Sequence, residues 1–118
     1  MKIIPLFWVS NIREALAFYT KVLDFELKYP EAPLEDWGVE LVNGDAELQL
    51  SSTDGTPGIT VNVYVDDVDR LFALYKKRGL DTSNSSGVHH SPINQTWERR
   101  EYYVEDADGN TLRFSAPL

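Results

Sequence analysis

The sequence contains an internal repeat. When residues 8–25 are shifted by 56 positions they align with residues 64–81, and apolar or aromatic residues then face residues of the same kind. The matched pairs are Val9 with Val65, Ile12 with Val68, Ala17 with Ala73, Tyr19 with Tyr75, and Lys21 with Lys77. Further along, residues 48–51 resemble residues 112–115, each after a turn built on Asn-Gly or Asp-Gly. Two amphipathic helices can match by chance, but the matched turns and final strands favour a duplication.

Each copy has the pattern of a strand, a helix and three further strands. The first strand is predicted over residues 2–9, with Pro5 placing it at a sheet edge or breaking it. Ser10 or Asn11 would cap the first helix, and Asp66 or Asp67 the second. Other strands are predicted at 25–29, 36–41, 46–51 and 59–65, one short strand within 82–94, and a closing hairpin over 97–115. We therefore predict an α+β fold of two tandem βαβββ modules, about 1–53 and 58–118 with a connector at 52–58, in one domain.

Composition excludes several classes of protein. Of the 118 residues 42% are hydrophobic and 25% charged, which is typical of a globular domain. The net charge of -8 disfavours nucleic acid and anionic membrane partners, and favours either a cationic ligand or simple solubility. Without cysteine there are no disulfides and no thiolate metal sites. The first nine residues are typical of a strand rather than a signal peptide, and no apolar run approaches membrane length, so we expect a cytoplasmic protein.

The duplicated unit, with residues 9–25 and 100–110, resembles the glyoxalase/bleomycin resistance/dioxygenase (vicinal oxygen chelate) superfamily. The resemblance covers nearly the whole chain and implies mixed sheets that curl into a cleft. Enzymes of this superfamily place metal ligands on the first and last strands of each copy. Those positions hold Ile4 or Pro5, Gln49, Ile59 or Thr60, and Arg113. One neutral amide beside a guanidinium does not hold a divalent ion. We therefore expect no metal and no cofactor, and the pattern favours a binding protein over an enzyme.

The chain is more similar to the metal-free bleomycin-resistance branch, whose members are small acidic homodimers that sequester a cationic glycopeptide. That similarity implies stacking of a flat ligand by Trp37 and Trp97 in a cleft between subunits, with Ser51 lining it. Pro5 matches a proline associated with exchange of the first strand between subunits, and Trp8 is a core or interface residue. Glu98 departs from the family's glycine after the tryptophan.

Strand alternation adds further candidate ligand contacts. Arg113 would lie with Ser115 on the face opposite Leu112 and Phe114. Further positions that alternation or the superfamily pattern places at the cleft are Gln49, Tyr64, Tyr102 and Tyr103. Each aromatic candidate could instead pack in the sheet. Glu35, Asp36, Glu98 and Glu101 would form an acidic rim or be ordinary solvated charges.

The pair His89-His90 is less typical of a metal site than of a pocket lid or an ordinary loop. Adjacent side chains in an extended chain point in opposite directions, so they rarely bind one ion together. Three functions remain open. The first is sequestration of a cationic, partly aromatic molecule such as a bleomycin-type antibiotic. The second is a metal-dependent lyase, isomerase or dioxygenase. The third is a binder of an unrelated hydrophobic metabolite.

Overall fold

The computed structural model of the chain describes residues 1–82 and 91–118. Contacts divide the chain into two units, the first made of Met1–Ile59 with Asp106–Asn110 and the second of Thr60–Glu105 with Thr111–Leu118. Each unit contains one four-stranded sheet. No helix in the described part of the chain has the length and apolar character required to cross a bilayer.

The first unit follows the predicted order of elements. Its strand order is β1-β4-β3-β2, in which β1 is parallel to β4 and the other pairs are antiparallel. The elements are β1 (Leu6–Trp8), α1 (Ile12–Ala17), a π-helical turn (Phe18–Val22), β2 (Glu26–Leu27), β3 (Gly38–Asn43) and β4 (Ala46–Ser51).

The second unit repeats this topology strand for strand. The order β5-β8-β7-β6 again pairs the first strand with the last in parallel and the other neighbours antiparallel. The elements are β5 (Thr60–Tyr64), α2 (Val68–Lys77), β6 (Ile93–Asn94), β7 (Arg99–Glu105) and β8 (Thr111–Pro117). The predicted α+β fold of two tandem βαβββ modules is therefore confirmed.

The first strand is shorter than predicted. It begins immediately after Pro5 and lies at the edge of its sheet. A proline has no N–H to donate to a ladder. Its carbonyl still accepts a hydrogen bond from the Gln49 backbone N–H at 2.9 Å. Both consequences expected of this proline, a break and an edge position, are present.

The first helix begins at its predicted cap and ends in an unpredicted way. The Asn11 side chain accepts a hydrogen bond from the Glu14 backbone N–H at 3.0 Å. After Ala17 the helix widens into a π-turn, in which the Leu23 backbone N–H bonds the Phe18 carbonyl at 3.2 Å. Helical spacing of apolar residues is compatible with both helix types, which is why the sequence did not distinguish them.

The turn between β7 and β8 belongs to the first unit and is held by one carboxylate. Asp106 accepts hydrogen bonds from the backbone N–H groups of Asp108 and Asn110, both at 2.9 Å. It also accepts one from the Tyr19 hydroxyl at 2.8 Å. Burial, followed by the negative charge of Asp106, raises the pKa of Tyr19 well above its ordinary value. Asn110 is fully buried and donates to the carbonyl of Trp8 at 2.9 Å.

Candidate functional site

A cleft of about 420 Å³ lies on the sheet of the first unit. Its walls come from the four strands of this sheet, from the segment between β2 and β3, and from Asp54 in the connector after β4. The apolar part of the lining includes Leu6, Leu27, Pro33, Leu34 and Val39. Predominantly apolar walls with a few polar groups are typical of a small-molecule site.

The polar groups of the cleft include a pair on neighbouring strands. Gln49 on β4 lies opposite Glu40 on β3, and its side-chain amide donates a hydrogen bond to the Glu40 carboxylate at 3.0 Å. Both residues line the cleft and are half-buried. Glu40 was not among the sequence-based candidates. The loop of this hairpin is Gly44-Asp45, one residue beyond the predicted Asn43-Gly44 turn. A two-residue loop fixes which residues face each other, so the predicted turn would have paired Glu40 with Glu47 instead of Gln49.

Ser51 lines this cleft, but its hydroxyl already makes hydrogen bonds within the protein. The side chain is buried, and its oxygen accepts hydrogen bonds from the backbone N–H groups of Thr53 at 3.1 Å and Asp54 at 2.9 Å. These bonds fix the start of the connector beside the cleft. A ligand could use only the remaining capacity of this hydroxyl.

Trp37 is the largest aromatic side chain of the cleft, whose lining also contains Tyr29. Its side chain is 60% exposed, although the residue lines the cavity. The backbone is held in place because the Trp37 carbonyl accepts a hydrogen bond from the Ser52 N–H at 3.0 Å. The neighbouring Asp36 pairs with Arg13 at 3.1 Å. An exposed indole on an anchored backbone is suited to stacking against a ligand.

The cleft carries negative charge. Its described lining contains the carboxylates of Glu35, Glu40 and Asp54 and no lysine or arginine. A cavity with carboxylates and partly low-dielectric walls attracts cations. The electrostatics therefore favour a positively charged ligand.

The corresponding face of the second unit is arranged differently. Trp97 is 53% exposed, and its indole N–H donates to the buried carboxylate of Glu101 at 3.1 Å. Tyr64 is 70% exposed, with the guanidinium of Arg99 at 4.0 Å from the centre of its ring. Both predicted aromatic residues therefore lie exposed and in contact with a charged side chain.

Arg113 lies on the face predicted by alternation. Leu112 and Phe114, its neighbours on β8, are buried, whereas Arg113 is half-buried with its guanidinium 4.7 Å from the ring centre of Tyr103. A role in ligand binding stays a prediction for this residue.

Tyr102 requires a correction. Its side chain is fully buried, with ring centres 5.3 Å from Phe72 on α2 and 5.2 Å from Phe114 on β8. Alternation along β7 assigns Tyr102 to the face covered by the helix, and Tyr103 to the other face. Tyr102 therefore belongs to the core of the second unit, where a ligand does not reach it.

Pro5 and Trp8, the two residues assigned to dimerisation, are both half-buried. In this structure β1 pairs with β4 of the same chain, with Trp8 opposite Ser51. Exchange of the first strand between two copies stays a prediction.

Gln49 is the one plausible ligand among the four superfamily metal positions, and in the first unit its amide is bonded to Glu40. Arg113, in the second unit, carries a guanidinium, which has no acceptor for a metal. Within residues 1–82 and 91–118 no group of three or more potential ligands is gathered. The prediction for His89-His90 lies outside the described residues.

Glu98, which replaces the family's glycine, adopts the backbone conformation that favours glycine. Its φ of 63° lies in the left-handed region, and it is the one described residue other than glycine with positive φ. Its carbonyl accepts a hydrogen bond from the Leu118 N–H at 3.1 Å.

The fold and the cleft define a two-module βαβββ protein with a small-molecule-sized cavity. A family model for the Glyoxalase/Bleomycin resistance protein/Dioxygenase superfamily matches residues 5–114. The chain therefore belongs to this superfamily, as its sequence motifs indicated. A search of curated proteins finds no match.

Solved structures share the fold over the whole chain. A bleomycin-binding protein complexed with bleomycin has a TM-score of 0.79 at 19% identity, covering 100% of this chain and 99% of that one. A bleomycin resistance determinant encoded on transposon Tn5 has a TM-score of 0.79 at 20% identity, covering 99% and 98%. The bleomycin-binding protein of bleomycin-producing Streptomyces verticillus, complexed with copper(II)-bleomycin, has a TM-score of 0.78 at 20% identity, covering 100% and 97%.

Proposed function

We propose that this protein binds and sequesters a cationic, partly aromatic small molecule without modifying it, and that bleomycin-type antibiotics are the first candidates. The observation that carries the proposal is the first-unit cleft, which combines apolar walls, three carboxylates and the exposed indole of Trp37. The volume of about 420 Å³ suits part or all of a drug-sized molecule.

Each part of the cleft has a role in this proposal. Trp37 stacks on a flat ring of the ligand, and the apolar walls exclude water around it. Glu40 accepts a hydrogen bond from a ligand cation in addition to the one from Gln49. Glu35 and Asp54 add to the negative potential that draws the cation in.

The neighbours support the choice of the first candidate ligand. Two of the proteins with the same fold were crystallised with bleomycin or its copper complex. The donors present at the superfamily metal positions support binding rather than metal-assisted turnover, because an amide and a guanidinium cannot complete a coordination shell.

We further propose that the chain acts in the cytoplasm as a homodimer, each copy forming one domain with both of its modules. Two equivalent clefts would lie at the subunit boundary, with Trp97, Tyr64 and Arg113 as additional ligand contacts. The apolar side chains of Met1 and Ile3 precede Pro5 and are exposed, which supports a role of the N-terminal segment in pairing. Analytical ultracentrifugation tests the homodimer, and a monomer at micromolar concentration would contradict it.

Titration with metal-free bleomycin, followed by tryptophan fluorescence and calorimetry, tests the function. We expect saturable quenching in the wild type and about tenfold weaker binding in Trp37→Ala, since a central aromatic contact is lost. Trp37→Phe, which retains a ring for stacking, serves as the matched control and should bind more tightly than the alanine variant. Absence of quenching at high micromolar drug would exclude bleomycin as the ligand.

The apolar part of the lining also supports a second candidate function, the binding of an unrelated hydrophobic metabolite. A thermal-shift screen of diverse ligands separates the two, because a molecule that binds only the folded protein raises its melting temperature. Stabilisation by neutral hydrophobic compounds and not by cationic ones would favour this alternative.

A further inference from the structure

Glu101 is a buried carboxylate that the proposed ligand contacts do not explain. Only 3% of its surface is exposed. One oxygen, Oε2, accepts hydrogen bonds from the Trp97 indole N–H at 3.1 Å and from the Ser115 hydroxyl at 3.2 Å. The other, Oε1, is buried and has no hydrogen-bond partner in the described part of the chain. Burial of such a group destabilises a fold, so its presence points to a role in what it contacts.

The contacts of Glu101 extend to two exposed rings. Trp97 is bonded to it directly. Ser115, its second donor, accepts a hydrogen bond from the Arg99 Nε–H, and Arg99 in turn covers the ring of Tyr64 at 4.0 Å. We call these five residues the Glu101 network. It joins the exposed indole to the exposed phenol through a continuous series of contacts.

The network stands on a rigid base. Ser115 on β8 is opposite Glu101 on β7 and also opposite Tyr64 on β5, so three adjacent strands hold the members in register. Trp97 lies outside the strand, which begins at Arg99. Its half-exposed ring would lose rotamer freedom when it binds a ligand, unless a contact already fixes its orientation.

We propose that Glu101 is a positioning residue, which holds the indole of Trp97 and, through Ser115 and Arg99, the ring of Tyr64 as a preorganised aromatic surface. The hydrogen bond from the indole N–H to this carboxylate also shifts electron density into the indole ring. The ring then attracts a cation or an electron-poor flat ring more strongly. The ligand class is therefore a planar, positively charged or electron-poor heteroaromatic group. The ligand part of this inference rests on the proposed function, whereas the positioning part does not.

The indole N–H resonance of Trp97 reports the positioning directly. We would assign it in the ¹⁵N-labelled protein by its absence from Trp97→Phe. In Glu101→Leu we expect hydrogen exchange at this N–H to become about tenfold faster, because a bond to a charged acceptor is lost. In Glu101→Gln the side-chain oxygen still accepts, so the resonance should shift but stay protected. Glu105→Gln removes a charge from the same face of the same strand and should leave the resonance unchanged.

Affinity for metal-free bleomycin gives the second readout. We expect about tenfold weaker binding in Glu101→Leu, and in Glu101→Gln and Glu105→Gln values within about threefold of the wild type. A merely structural role would lower the melting temperature of Glu101→Leu while leaving the bleomycin affinity of the remaining folded protein unchanged.

The outcomes separate this inference from the proposed function. An unchanged Trp97 resonance in Glu101→Leu would overturn the positioning role, and so would equal exchange rates in the leucine and glutamine variants. If Glu101→Leu does not fold, Glu101→Gln decides alone, since an unshifted resonance there means that the carboxylate does not hold the indole. If the wild type binds no bleomycin but the resonances behave as expected, the named ligand fails and the positioning role stands.

Discussion

The two units of this protein have sheets of the same topology. They differ in the side chains on the face that carries the equivalent serines, Ser51 and Ser115. In the first unit Ser51 lies opposite Gly38, and in the second the equivalent Ser115 lies opposite Glu101. Where one unit has no side chain, the other has a buried carboxylate. The first unit consequently retains a cleft above its sheet, whereas in the second the equivalent position is filled by a hydrogen-bonded network.

The two serines at the equivalent positions make different hydrogen bonds. Ser51 accepts from the backbone at the start of the connector, and Ser115 exchanges hydrogen bonds with Arg99 and Glu101. A conserved position in the duplicated backbone therefore carries two unrelated hydrogen-bonding roles. Function in this fold follows from a few side chains on a common scaffold.

The most severe test of this comparison makes the first unit resemble the second. Gly38→Glu introduces the side chain of the equivalent position into the cleft, and we expect bleomycin affinity to fall at least about 30-fold, as for loss of a central contact. Calorimetry measures the affinity, and circular dichroism with thermal melting verifies the fold.

Gly38→Ala is the matched control. A Cβ here would lie 3.3 Å from the Leu50 carbonyl oxygen, so the alanine variant reports the cost of that close approach alone. Binding within threefold of the wild type in both variants would show that the ligand does not occupy this part of the cleft.

The fold was predictable because its signals are local and duplicated. Asn11 and Asp67 are confirmed as helix caps, and the Asp-Gly turn joins β7 and β8. The loop between β3 and β4 is Gly44-Asp45, one residue later than the predicted Asn43-Gly44 turn. The repeat then required both halves to share one topology. The π-turn after Ala17 escaped prediction because it depends on the detailed packing of the helix end.

The site was predictable only in part. Trp37, Gln49 and Ser51 do line one cleft. Tyr102 was misplaced because alternation says which residues share a face, but not which face the helix covers. Glu101 looked like a rim or surface charge, since nothing in its neighbours along the chain indicates that Trp97 and Ser115 bury it.

The hairpin turns of the two units also differ, and Tyr19 tests the difference. Gly44 and its neighbours are exposed, whereas the Asp106–Asn110 turn is bonded to Tyr19. Tyr19→Phe removes that bond and should lower the free energy of unfolding by about 1–1.5 kcal/mol at pH 7. Urea denaturation measures this value.

The raised pKa of Tyr19 adds a pH dependence with a definite sign. Its stabilisation is complete below the pKa of an unfolded tyrosine, about 10, and falls as the pH rises further, because only the unfolded chain then releases the proton. The stability gap between wild type and Tyr19→Phe should therefore narrow above pH 10. A constant gap from pH 7 to pH 11 would contradict the buried, neutral hydroxyl.

The smallest expected effect concerns the charge at two equivalent positions of the units, Glu40 in the first and Tyr103 in the second. Glu40 faces Gln49 in the first unit, whereas Tyr103 faces Arg113 in the second, so this position is acidic only in the cleft. Glu40→Gln should weaken bleomycin binding about fivefold at low salt and less at high salt, because a screened charge contact is removed. Calorimetry at two salt concentrations measures both values.

Glu31→Gln is the control that gives this test its meaning. It removes the same charge from an exposed residue outside the cleft lining, so both variants change the net charge of -8 equally. A loss confined to Glu40→Gln would show that the ligand's cation contacts the cleft. Equal losses would instead mean that the acidic character of the whole protein attracts the ligand, and the contrast between the two open faces would then concern shape alone.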